Sequence, residues 1–177
     1  MLKNHGYYKV TEDGVEQCLI SCDDGVYRFT PPESEEQDWT VEKLVDEAAS
    51  DAVLVDLDQD GEKELILISP FHGEHIYFYK KIDGDYKKVY TYDTADFAHA
   101  IYGGTLLGKP AVIIGHRKGE RNLLLFTWEQ EKGQYQVEIL DRDCGPANVF
   151  KYERGTEEVL ISTNREIDEV AMYTFEK

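Results

Sequence analysis

Short apolar runs bounded by turn residues recur along this chain at a fixed interval. The segments "QCLISCDDG" (17–25), "ELILISPFH" (64–72), "AVIIGHRKG" (111–119) and "EVLISTNRE" (158–166) each begin 47 residues after the one before. Their columns are apolar together: Cys18, Leu65, Val112 and Val159, then Leu19, Ile66, Ile113 and Leu160, then Ile20, Leu67, Ile114 and Ile161. Runs of this length and composition predict buried strands. Gly14, Gly61, Gly108 and Gly155 keep the same spacing, three residues ahead of each run, where a tight turn between strands needs positive φ.

Further strands flank each run. "HGYYKV", "AVLVDL", "HAIYGG" and "PANVFK" precede it, and "GVYRF", "HIYFY", "NLLLF" and "VAMYTF" follow it. "DWTVEKLV", "DYKKVYTY" and "QYQVEILD" supply a fourth, more polar strand in the first three units. The pattern predicts an all-β fold, a β-propeller of four blades of about 47 residues, over 5–51, 52–98, 99–145 and 146–177. The last blade lacks its outer strand. The chain therefore either closes as a small ring or forms part of a larger ring completed by another chain or by further sequence. An unpaired sheet edge makes a homo-oligomer a sensible expectation. The stretch "VEKLVDEAAS" (41–50) fits either one short helical turn or a strand and a loop.

Charge narrows the partners. A net charge of −17 with a pI near 4.6 would repel a phosphate backbone, so no nucleic acid partner is expected. No stretch approaches the ~20 apolar residues that cross a bilayer as a helix, which argues against membrane insertion. Cys18, Cys22 and Cys144 form an odd set without zinc spacing and read as reduced thiols. That suits a cytoplasmic protein if the chain is complete, or an extracellular one if a signal segment has been removed.

The stretch "DLDQDGEKEL" (56–65) sets Asp56, Asp58 and Asp60 on alternate residues, followed by Gly61 and Glu64. Calcium takes six to eight hard oxygen ligands, and alternate residues of a tight turn can aim carboxylates inward. These acids, with the backbone carbonyl of Glu62, form a candidate calcium site. The loop resembles the FG-GAP or VCBS repeat family of calcium-loop propellers, typified by integrin α-subunits. In that family D-x-D-x-D-G-x-x-[DE] lies in the turn between the first two strands of a blade. Asp56, Asp58, Asp60, Gly61, Glu64 and the following "LILI" match it, over the second blade alone. The resemblance implies a structural calcium ion and roles in binding and adhesion.

Turns between second and third strands point to the opposite rim, beside the start of each first strand. This rim collects all five histidines, His5, His72, His75, His99 and His116, together with Arg117, Asn164 and Arg165. By the 47-residue alignment, His116 and Arg117 match Thr163 and Asn164. His72, His99, His116, Arg117, Asn164 and Arg165 are the candidate ligand-binding residues, suited to a carbohydrate-like or protein ligand, or to a carboxylate held by Arg forks. Three functions follow: a binding module, a carbohydrate-active lyase or dehydratase using His99, His116 and Arg117, and a structural assembly unit. No catalytic residue is assigned, because no nucleophile elbow, phosphate loop or zinc motif is present.

Overall fold

The computed structural model describes residues 1–176 and is built from antiparallel strands. Blade 1 holds β1 (Gly6–Glu12), β2 (Val15–Cys22), β3 (Gly25–Thr30) and β4 (Thr40–Val45). Blade 2 holds β5 (Asp51–Val55), β6 (Glu64–Ile68), β7 (Ile76–Ile82) and β8 (Asp85–Tyr92). Blade 3 holds β9 (Ala98–Leu106), β10 (Lys109–His116), β11 (Leu123–Glu129) and β12 (Gln134–Asp141). Blade 4 has three strands, β13 (Pro146–Arg154), β14 (Glu157–Asn164) and β15 (Glu169–Glu176). Each sheet is a meander in sequence order, and the four are arranged as a β-propeller. "VEKLVDEAAS" resolves into the end of β4 and a loop. Among the described residues no helix is long and apolar enough to cross a membrane.

Strand alternation decides the packing. In β6, Leu65 and Leu67 face blade 1 and join Val10, Leu19 and Leu54. Ile66 and Ile68 face blade 3 and join Val112, Ile114 and Phe126. A third core joins Ile113, Leu123 and Leu125 of blade 3 to Leu160 of blade 4, with Tyr173 and Phe175 beside them. Central strands buried on both faces read as continuous apolar runs, which is why the repeat is so visible. The inner strands approach closely: a Cβ on Gly103 would lie 2.8 Å from both Val53 and Val55. The Tyr8 hydroxyl donates to the Gly103 carbonyl from blade 1.

The repeat slips by one residue in blade 4. Lys109 opens β10 and Glu157 opens β14, a step of 48 residues. The cause is turn chemistry. Leu107 and Gly108 both have positive φ (52° and 73°), as a type I′ turn requires, whereas the turn of blade 4 places Gly155 (φ 62°) first. Leu160 therefore stands where Val112 does, facing the preceding blade, and Ile161 stands where Ile113 does. By the same slip His116 corresponds to Asn164, which corrects the 47-residue alignment of these two loops.

Successive inner strands pack as β1 on β5, β5 on β9 and β9 on β13. β13 and β1 lack that packing, so the series of blades has two ends. A cavity of about 690 Å³ opens on Leu125, Thr127 and Glu138, on the blade 3 face turned toward blade 4. Phe126, fully buried and in contact with Phe78 at a centroid distance of 5.3 Å, ties blade 2 to blade 3. Phe126→Ala should lower unfolding free energy by about 3–5 kcal/mol in urea denaturation, because the cavity lies between two β-sheets that cannot collapse freely.

Candidate functional site

The two rims carry different chemistry. On the first, the loop between β5 and β6 folds around its own carboxylates. The Asp60 amide donates to Asp56 Oδ1 (3.1 Å) and Asp58 Oδ1 (3.3 Å), and the Gly61 amide donates to Asp56 Oδ2 (3.1 Å). The Leu57 amide donates to Glu64 Oε2 at 2.7 Å. Oxygens of Asp56, Asp58 and Glu64 lie within 4.8 Å of one another. Asp60 instead braces the turn by accepting from the Glu62 amide at 2.9 Å, and the Glu62 side chain points to Lys81 at 3.9 Å. Three of the five predicted metal residues thus bring side-chain oxygens to one point.

A lysine reaches the same point from β7. Lys80 Nζ pairs with Asp58 and lies 3.4 Å from Glu64 Oε1 and 3.6 Å from Asp60 Oδ2, with the Trp128 ring 5.1 Å from it. Glu64 is buried, and desolvation pushes its carboxyl up to about 7, with Asp56 and Asp60 adding to the rise. Burial also lowers the Lys80 ammonium, against the pull of Asp56. Lys80 was not predicted, although its place on β7 opposite the loop follows once strand register is known. The donor set suits a hard cation: carboxylate oxygens converge, and the partner that neutralises them is a single flexible side chain.

On the opposite rim three imidazoles meet. His72 stacks on His99 at 4.4 Å with an interplanar angle of 12°, and His5 meets His72 edge-on at 4.7 Å. Phe97 lies 4.8 Å from His72 and carries the Arg117 guanidinium and Lys118 Nζ, each 4.9 Å from its centroid. The local backbone is held by two serines. Ser50 Oγ accepts from the His72 amide (2.7 Å) and donates to the Ser69 carbonyl (2.9 Å), while Ser69 Oγ accepts from the His75 amide (3.1 Å). A Cβ on Gly73 would collide with Ser69 Oγ, so the loop needs glycine there.

Phe71, His72 and Phe97 all adopt left-handed backbone angles, with φ of 50°, 59° and 58°. Such conformations cost about 1–3 kcal/mol each in non-glycine residues and gather at functional sites. Here His72 and Phe97 turn an aromatic surface toward a depression of about 560 Å³ that Glu74, His75, Asp96 and Lys118 also line. The buried Nδ1 atoms of His72 and His75 have no hydrogen-bond partner in the protein, His75 Nδ1 lying 3.4 Å from Asp93 Oδ1 out of alignment. Burial, then His99 and His5, lower the His72 pKa, so this imidazole is neutral at pH 7.

The other predicted residues are engaged elsewhere. His116 is 1% exposed, with Nδ1 on the Lys118 carbonyl (2.9 Å) and Nε2 accepting from the Asn122 amide (3.1 Å). Asn164 is fully buried, accepts from Ser162 Oγ at 2.7 Å and donates to Glu169 at 3.1 Å. Arg117 pairs with Glu166 at 2.7 Å, and Arg165 reaches the same carboxylate at 3.3 Å. His99 joins the imidazole stack while its Nδ1 meets the Ala147 carbonyl at 2.7 Å. Sequence reasoning missed Phe97, whose backbone strain and stacking have no local signal. The three cysteines are free thiols, Cys22 and Cys144 buried and Cys18 partly so.

No protein-family model matches the chain, and no curated protein matches it. Among solved structures, a protein from Bacteroides fragilis provisionally described as a 6-phosphogluconolactonase aligns with a TM-score of 0.57 at 14% identity. The alignment covers 98% of this chain and 55% of that one, so this chain spans about half its length. At this identity the likeness shows a shared propeller fold.

Asp51, at the start of β5 beside His5, offers a pH test of this region. Burial raises its carboxyl to about 6, opposed by the Ala52 amide and by His5. A raised folded pKa means the folded state binds the extra proton, so the stability it contributes is complete below the unfolded pKa near 3.8 and is lost as pH rises through 6. Asp51→Asn should flatten that decline in melting temperature between pH 4 and 7, with little change at pH 4.

Proposed function

We infer that this protein is a non-catalytic β-propeller binding module that takes a carbohydrate-like ligand on the imidazole rim and a structural calcium ion on the acidic rim. The observation that carries the reading is the strained pair of His72 and Phe97, which line an open depression. A sugar ring presents a C–H face that suits an aromatic platform, and its hydroxyls suit acceptors such as Asp96 and Glu74. Glu166 already occupies the Arg117 fork, which favours a neutral ligand over a carboxylate. The lyase reading loses support because both nitrogens of His116 are committed within its own loop.

Calcium fits the resemblance to FG-GAP and VCBS loops, and Asp56, Asp58 and Glu64 would hold it with the Glu62 carbonyl. Its binding would displace Lys80 and keep Glu64 ionised, stiffening the β5–β6 hairpin. This role is structural, since the loop and the sugar-binding depression lie on opposite rims.

Two measurements test the reading. On a glycan array followed by calorimetry, His72→Ala and Phe97→Ala should each weaken binding about tenfold or more, with Asp58→Ala leaving it intact. Unchanged binding in both rim variants, or turnover of a sugar lactone or uronate that disappears with His72, would overturn it. Calorimetry with calcium should give heat that Asp58→Ala abolishes, and Lys80→Met should bind calcium about tenfold more tightly because the competing ammonium is gone. Absence of heat from the unaltered protein would rule out the ion.

A further inference from the structure

The two ends of the blade series are both built as blade interfaces. On blade 4, Phe150, Ile161 and Met172 form one cross-strand row, and Val170 lies beside it on the same face. Phe150 is 65% exposed, Met172 56% and Val170 71%. These residues stand where Tyr102, Ile113, Leu125 and Leu123 stand in blade 3, and there the same positions are packed against the next blade. The three central rows of this face hold no charged side chain, in a chain with 36 acidic residues.

The opposite end presents the other half of such a contact. In blade 1, Tyr7, Ile20 and Tyr27 form one row, ended by Lys43, and Cys18, Phe29 and Val41 the next, begun by Lys9, on the face turned away from blade 2. Ile20 and Tyr27 occupy the places of Leu67 and Tyr77, and Cys18 and Phe29 those of Leu65 and Tyr79, which pack against blade 1. Tyr7 is 65% exposed and Val41 50%.

We propose that two copies of this chain associate head to tail, the blade 4 face of each packing on the blade 1 face of the other, to close a ring of eight blades. A single copy has one face of each kind, and they match each other as consecutive blades do inside the chain. Each contact is heterologous, yet two of them related by a twofold axis along the propeller axis close the assembly, so it stops at a dimer. Exposed apolar rows of this extent on a very acidic protein are otherwise an aggregation hazard. The interface continues a packing pattern already present three times in the fold.

Light scattering with size-exclusion chromatography on the full chain, over an about hundredfold dilution series, should show a dimer of the 20.4 kDa chain. Met172→Glu and Tyr7→Glu should each give a monomer. Mixing the two variants should restore a dimer, because one of its two contacts then has both faces unaltered. A face-to-face pairing through blade 4 alone would leave Tyr7→Glu dimeric and overturn the proposal, as would a monomer at every concentration. If a glutamate disturbs folding, Met172→Cys under mild diamide oxidation provides a second measurement. It should form an intermolecular disulfide to native Cys18, identified by peptide mapping, and failure to find that link in a dimeric sample would also overturn the proposal.

Discussion

Every sheet in this molecule has two apolar faces, and covering both is the constraint from which the rest follows. Residues 65 and 67 must be buried on one side of β6 while 66 and 68 are buried on the other. A blade so built cannot be stable alone, so blades stack in series around an axis. That stacking sends every turn between first and second strands to one rim and every turn between second and third strands to the other. The acidic loop and the imidazole stack are thereby separated without any direct interaction between them.

On both rims the electrostatics reflect removal from water. Four acids crowd the β5–β6 loop, and the protein answers with a lysine from a neighbouring strand, backbone amides and a glutamic acid whose burial favours its neutral form. On the other rim Arg117 and Arg165 share the Glu166 carboxylate, and burial, then His99 and His5, disfavours the charged form of His72. A site made of stacked imidazoles, a phenyl ring and carboxylate acceptors differs in kind from the cationic patch that a count of Arg and His implies. Selectivity there rests on stacking and hydrogen bonding more than on charge.

The chain's repeat was legible because burial on two faces writes an apolar run, and a hairpin turn writes a glycine, at each blade. Strand order, the missing outer strand of blade 4 and the convergence of Asp56, Asp58 and Glu64 follow from such local marks. The one-residue slip in blade 4 was not legible, since a glycine at either turn position gives nearly the same spacing. The fate of His116 and Asn164 was hidden too: a polar residue at a strand end reads the same whether it faces a ligand or clamps its own loop.

What the sequence by itself determined is therefore the set of features encoded within one strand pair: periodicity, turn glycines and the spacing of the acids. Only the tertiary structure decided which side chains cross between blades, such as Tyr8 reaching the Gly103 carbonyl and Arg117 reaching Glu166. The reason is physical. Strand alternation is a property of the backbone and is imprinted locally, whereas an ion pair or a ring stack depends on the register, twist and separation of segments that are distant in the chain.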